Sequence, residues 1–185
     1  METTTKKVNG FDQEAIVNVV TALHANPEIG NFELRATNEW IEGGHNRSFI
    51  QGFYGACQED TSRTEPFIYD NDEPPVLLGA NKGANPAEVL LHGLLGCMTT
   101  AMVLLAAARG IEIEGVTSKV EGDIDIKGFL GLNSSGPKGF KQIRVTFDIK
   151  GADEAQKQEL LALAKQSPLY NSLMNPTDVQ VALKN

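Results

Sequence analysis

NPAEVLLHGLLGCMTTAMVLLAAARG, running from Asn85 to Gly110, contains no Asp, Glu, Lys or Arg between Val89 and Ala108. A helix that is apolar on every side is buried in a protein core or in a membrane. Asn85 can cap this one, Pro86 suits the first helical position and Glu88 completes a capping-box-like pattern. Arg109-Gly110 then supplies a basic last turn and a terminating glycine. At 1.5 Å per residue the helix would be about 35 Å long. About 20 apolar residues would also span a bilayer. Against that, His92, Gly93, Gly96, Thr99 and Thr100 lower the hydrophobicity at the centre, no second span is present, and the flanks lack aromatic belts. The stretch reads as a central core helix, with Cys97 near its middle.

The remainder of the chain narrows the possibilities. Its 185 residues suit one main domain, residues 31–185, behind an N-terminal helical extension over 1–30. A hydrophobic share of 41% and a charged share of 22% are ordinary for a globular protein. The net charge of -8, with scattered Lys and Arg, argues against nucleic acid as a partner. Two cysteines, Cys57 and Cys97, are too few for a disulfide framework. With His24, His45 and His92 far apart, they form no ligand spacing, so neither metal nor cofactor is expected. METTTKKVNGFDQE has no apolar core and does not read as a signal peptide, which leaves the cytoplasm as the expected compartment and no membrane partner.

Hydrophobic periodicity gives the other elements. Phe11 to Ala25 reads as a helix, ended by Asn26-Pro27. Strands are expected over Asn31–Trp40 and Arg47–Tyr54, with a turn at Gly43-Gly44 between them, and a short one at Phe67–Tyr69. Gln58 to Glu65 and the acidic, proline-rich Asp70 to Pro75 read as loops. Beyond the central helix come a strand from Gly115 to Lys127, a glycine-rich segment from Gly128 to Gly139, and a strictly alternating strand through Ile143, Val145, Phe147 and Ile149. Asp153 caps a second helix running to Gln166, which Pro168 closes, and a last strand covers Asp178–Leu183. Strands grouped around helices, without regular βαβ alternation, predict an α+β fold with antiparallel sheets.

Cys97 is either inert core filling or a guarded nucleophile. Its neighbours three and four residues away are Gly93, Leu94, Thr100 and Ala101, so there is room beside the sulfur on an otherwise apolar face. Free cysteine is among the most buried residue types, which favours the inert reading. Reactivity requires the thiolate, and hence a cation close by. The helix N-terminus lies too far along the axis to supply it, and so does Arg109. Arg47, on the second strand, is a candidate; otherwise it is a solvated strand residue. His92 and Glu88 could pair with each other but lie about 140° and 180° around the wheel from Cys97. Glu88 is explained by the cap, and Cys57 reads as an incidental turn thiol.

Four stretches resemble the osmotically inducible protein C / organic hydroperoxide resistance (OsmC/Ohr) superfamily: Asp72 to Val116, Gly122 to Leu132 (GDIDIKGFLGL), Gly139 to Gly151 (GFKQIRVTFDIKG) and Ser167 to Val179 (SPLYNSLMNPTDV). The resemblance implies an intertwined homodimer with long helices at the centre and sheets outside. It implies a reactive cysteine at the position of Cys97, assisted by an arginine, matched by Arg47, and a glutamate. The family's glutamate lies ten residues before the cysteine; that position is Ala87 here, with Glu88 one step later. The family's second cysteine, which forms a disulfide with the first, falls at Ser167, and a serine cannot replace it. The implied function is thiol-dependent reduction of organic hydroperoxides in oxidative stress defence. The single reactive cysteine would take a small apolar hydroperoxide and be resolved by Cys57 or by an external thiol reductant, either a small thiol or a protein. The alternative is a non-catalytic dimer that binds an apolar small molecule in the same pocket.

Overall fold

The computed structural model describes residues 7–132, 136–175 and 177–184. In chain order the elements are β1 (Lys7–Val8), β2 (Phe11–Asp12), α1 (Gln13–Ala25), β3 (Glu33–Leu34), β4 (Thr37–Glu42), β5 (His45–Ile50), β6 (Phe53–Gly55), β7 (Gln58–Asp60) and β8 (Phe67–Asn71). They are followed by α2 (Pro86–Ala108), β9 (Gly115–Ile124), α3 (Ile126–Phe129), β10 (Phe140–Lys150), α4 (Glu154–Ala164) and α5 (Pro168–Met174). The architecture is mixed α+β, and the described strands pair with one another antiparallel. Two compact units divide the chain, residues 14–90 and residues 1–13 with 91–185.

Residues 14–90 hold two three-stranded sheets, ordered β3-β6-β7 and β4-β5-β8. Each of the two long strands expected here is two strands. The chain changes sheets at Arg35-Ala36 and again at Gln51-Gly52, so β3 pairs with β6 while β4 pairs with β5. Gln58 to Asp60, expected as loop, forms β7. It returns from β6 through Ala56-Cys57, both with positive φ (51° and 63°), the backbone of a two-residue hairpin turn. The segment after β8 is built on Asp72, whose carboxylate accepts the N–H groups of Glu73, Ala80 and Lys82. Asp70 and Asn71, expected in that loop, belong to β8.

In the other unit, Leu94, Met98, Met102 and Ala106 form one stripe of α2 and pack against Ile149 of β10 and Leu160, Leu163 and Ala164 of α4. The four-residue spacing puts them on one face. β9 and β10 make a long hairpin, in register from Gly115↔Lys150 to Asp123↔Gln142, with a one-residue shift before the last pair, Ile124↔Phe140. β1 and β2 turn at Asn9-Gly10, again with positive φ at both. The Asn9 side chain donates to the Ile111 carbonyl and accepts the Ile113 N–H, fastening this hairpin to the segment after α2.

Several expectations need correction in this unit. Burial of α2 on all sides is not met within the chain: the stripe and Ala107 are fully buried, whereas Leu90, His92, Gly96 and Thr100 are exposed. α2 is long and apolar enough to cross a membrane by length and composition. Pro168 does not simply end a helix. Ser167 caps it as the first helical residue of α5, whose Tyr170 N–H donates to the Ser167 hydroxyl. Asp178–Leu183 is not a strand: Val179, Val181 and Leu183 alternate as expected but are largely exposed, and no strand among the described residues pairs with them. Part of the glycine-rich segment, residues 133–135, lies outside the described residues, as do the first six residues of the N-terminal extension.

Candidate active site

α2 opens as its sequence dictates. The Asn85 side chain accepts the Ala87 N–H, and Glu88 reaches back to accept the Asn85 N–H at 3.0 Å. Glu88 is therefore engaged as a cap, as the spacing indicated. Asn85 also donates to Glu73, which ties the cap to the preceding loop.

Three turns into the helix, Cys97 is half-buried and free. It lines an open groove of about 530 Å3 with Gly96, Thr100, Ala101, Leu104, Leu105, Gln166 and Pro168. The small residues around the sulfur leave that space. A methyl group added at Gly96 would meet nothing within 4 Å, and one at Gly93 would only touch Leu169, at 3.7 Å. Gln166 and Pro168 flank Ser167, so the groove brings the α4–α5 junction to the wall beside Cys97. Ser167 itself is fully buried, with its hydroxyl committed to the α5 cap. A second cavity of about 550 Å3 lies among Leu94, Met98, Phe140, Phe147 and Tyr170 and contains no thiol.

Arg47 belongs to the unit of residues 14–90 and Cys97 to the other. Arg47 is occupied by Asp70, directly opposite on β8: Nε donates to Oδ1 at 2.8 Å and Nη2 to Oδ2 at 3.0 Å. His45 Nε2 lies 2.9 Å from the same Oδ1. The Arg47 guanidinium, and after it the His45 ring, hold the Asp70 carboxyl down at about 2. Neither Asp70 nor His45 was picked out by sequence. Residues two apart on β5 share a face, which was readable, but the partner across the ladder depends on a register that only the folded sheet sets. Cys57 is exposed at its turn, and His92 is exposed on α2 with no hydrogen bond or ion pair among the described residues. No group of three or more His, Cys, Asp or Glu is placed to hold a metal among those residues.

The family profile described as OsmC-like protein matches residues 79–182, which includes α2, the β9–β10 hairpin and the α4–α5 junction. The chain belongs to the OsmC-like family. Solved structures agree in fold. An OsmC-like protein from Mycoplasma pneumoniae superposes with a TM-score of 0.59 at 21% identity, over 78% of this chain and 89% of that one. An organic hydroperoxide resistance protein from Elizabethkingia anophelis, with crystallant-derived thiocyanate bound, gives 0.55 at 20% identity, over 77% and 89%. One from Legionella pneumophila gives 0.53 at 20%, over 76% and 88%. No curated protein matches the sequence.

Proposed function

We propose that the protein is a thiol-dependent reductase of organic hydroperoxides that works with the single cysteine Cys97, as a cytoplasmic homodimer in oxidative stress defence. The observation that carries this reading is the placement of a half-buried thiol in an open, mainly apolar groove beside the α4–α5 junction, in a member of the OsmC-like family. The Cys97 thiolate attacks the terminal oxygen of ROOH. An S–O bond forms, the O–O bond breaks, and the alkoxide that leaves takes a proton from water to give ROH. Cys97 becomes a sulfenic acid. With Ser167 in place of a second cysteine, an external thiol condenses with it, releasing water, and a second thiol frees Cys97 as the disulfide of the two leaves. Arg47 is assigned to the thiolate and the leaving alkoxide on the family likeness. Apolar groove walls favour oily substrates.

Dimerisation is supported by what one copy leaves uncovered. Leu34, Trp40, Leu78 and Leu90 are exposed, and so is one side of α2. The enzymatic reading is tested by supplying cumene hydroperoxide and excess thiol to purified protein. Turnover well above a Cys97→Ser control is expected; equal rates overturn the reading. A second reading, a dimer that binds an apolar small molecule without turnover, is favoured by Ser167, whose buried hydroxyl serves as a helix cap. Saturable binding of an apolar probe by both wild type and Cys97→Ser, without peroxide consumption, would establish it.

A further inference from the structure

The cavity of about 550 Å3 that holds no thiol has an apolar interior and a basic mouth, and it lies wholly within the unit of residues 1–13 and 91–185. Val145 and Phe147 line it from β10, on the face that also carries the buried Ile149, since residues two apart on a strand share a face. Leu94 and Met98 of α2 are buried and close its deep end. The register shift between Phe140 and Gln142 ends the strict alternation, and the Phe140 ring lies over Gly122, where an added Cβ would come within 2.5 Å of it. The glycine therefore makes room for the Phe140 wall. Opposite the strand, Leu161 and Lys165 stand four residues apart at the end of α4, and Tyr170 follows on α5. Leu161 is half-buried and Lys165 exposed, so the lysine stem runs along the apolar wall and its ammonium stays at the mouth.

We propose that this cavity binds a single-chain fatty carboxylate, its tail among Met98, Val145 and Phe147 and its head at Lys165. Charge complementarity carries the choice of ligand. The chain has 24 Asp and Glu against 16 Lys and Arg, yet no acidic side chain lines this cavity and two lysines do. Lys141 is neutralised by Asp125 at 2.9 Å. Lys165 has no hydrogen bond or ion pair among the described residues, and neither does the Tyr170 hydroxyl. One ammonium and one phenol match the two oxygens of one carboxylate, whereas an uncharged oil gains nothing from Lys165 and a cation is repelled by it. The volume falls within the range of about 300–1,000 Å3 usual for small-molecule sites. The site shares no lining residue with the Cys97 groove, so it stands whether or not Cys97 turns over.

The experiment titrates decanoate, 1-decanol and decyltrimethylammonium, each below its micelle or solubility limit, into the purified full chain by calorimetry, with Lys165→Glu and Val145→Phe beside wild type. Wild type should bind one decanoate per chain, at least about tenfold tighter than either other ligand, as a charge-assisted hydrogen bond allows. A lysine at the C-terminal cap of α4 also suits the helix dipole, so the decisive reading is the order of the ligands. Lys165→Glu should invert it, with decyltrimethylammonium now the tighter; a lysine that is merely structural would weaken all three alike, and that result overturns the inference. Val145→Phe fills the cavity from β10 without lining the Cys97 groove, and should abolish decanoate binding; unchanged affinity puts the ligand elsewhere and overturns it too. If Val145→Phe does not fold, the inversion in Lys165→Glu decides. A wild type that shows no saturable decanoate binding, as when a second copy of the chain covers the cavity, overturns the inference, and so does equal affinity for decanoate and 1-decanol.

Discussion

Asp70 accepts from two cationic or polar neighbours on β5, and this makes it a pH-dependent contributor to the fold. Its carboxyl is held at about 2 against an ordinary 3.8. A depressed folded-state pKa means that the stabilisation is fully present above about 4 and is lost as pH falls toward 2. Backbone N–H groups lower Asp72 in the same direction. The thermal midpoint of wild type should therefore fall between pH 4 and pH 2, and Asp70→Asn should show a shallower fall; identical slopes would remove Asp70 from the account. Ser167 is the second residue with a measurable role. Loss of an N-cap hydroxyl costs about 1 kcal/mol, so Ser167→Ala should lower the denaturant midpoint without changing its slope. Ser167→Cys should let the introduced thiol form a disulfide with Cys97 after one equivalent of peroxide, visible as loss of both free thiols. At this scale the sequence offers Cys97 and Arg47 as candidates, and the Glu88 cap is found where its spacing puts it. Asp70 and His45 are hidden because their meaning comes from a cross-strand register spanning 23 residues, and Pro168, which reads in sequence as a helix end, starts α5 behind the Ser167 cap.

Among the elements, helices were the more legible. Caps and four-residue spacing are local, so α2, with its Asn85–Glu88 start, and α4, with its Asp153–Gln156 box, fell where the residues indicated. Strand ends in residues 31–60 did not, since they depend on which sheet the chain joins, and alternation continues through the switch. The apolar run of α2 predicts burial on every side, yet among the described residues one stripe and Ala107 are buried while Leu90, His92, Gly96 and Thr100 are exposed. Met102 lies in that stripe, fully buried, and Met102→Ala should cost about 2–5 kcal/mol in chemical unfolding. A loss below about 1 kcal/mol would mean that the α2–β10–α4 core is not the stabilising centre of its unit. Asp178 to Leu183 has the alternation of a strand but no strand partner among the described residues. Backbone amides there should exchange hydrogen rapidly in any isolated protomer, and become protected only if assembly provides a neighbouring strand.

For the whole molecule, family membership rests on residues 79–182 and the fold on structures at 20–21% identity. Dimerisation and chemistry are the proposals built on that base. Light scattering coupled to size exclusion should return twice the 20.0 kDa chain mass, and a monomer at working concentration would remove the dimer. The central claim is that Cys97 alone takes the oxygen from an organic hydroperoxide. Its most direct measurement is one equivalent of cumene hydroperoxide added to reduced Cys57→Ser protein with dimedone present, followed by peptide mass spectrometry and quantification of the alcohol. The account predicts a dimedone adduct on the Cys97 peptide and close to one equivalent of cumyl alcohol. An unmodified Cys97 with the hydroperoxide intact would contradict it.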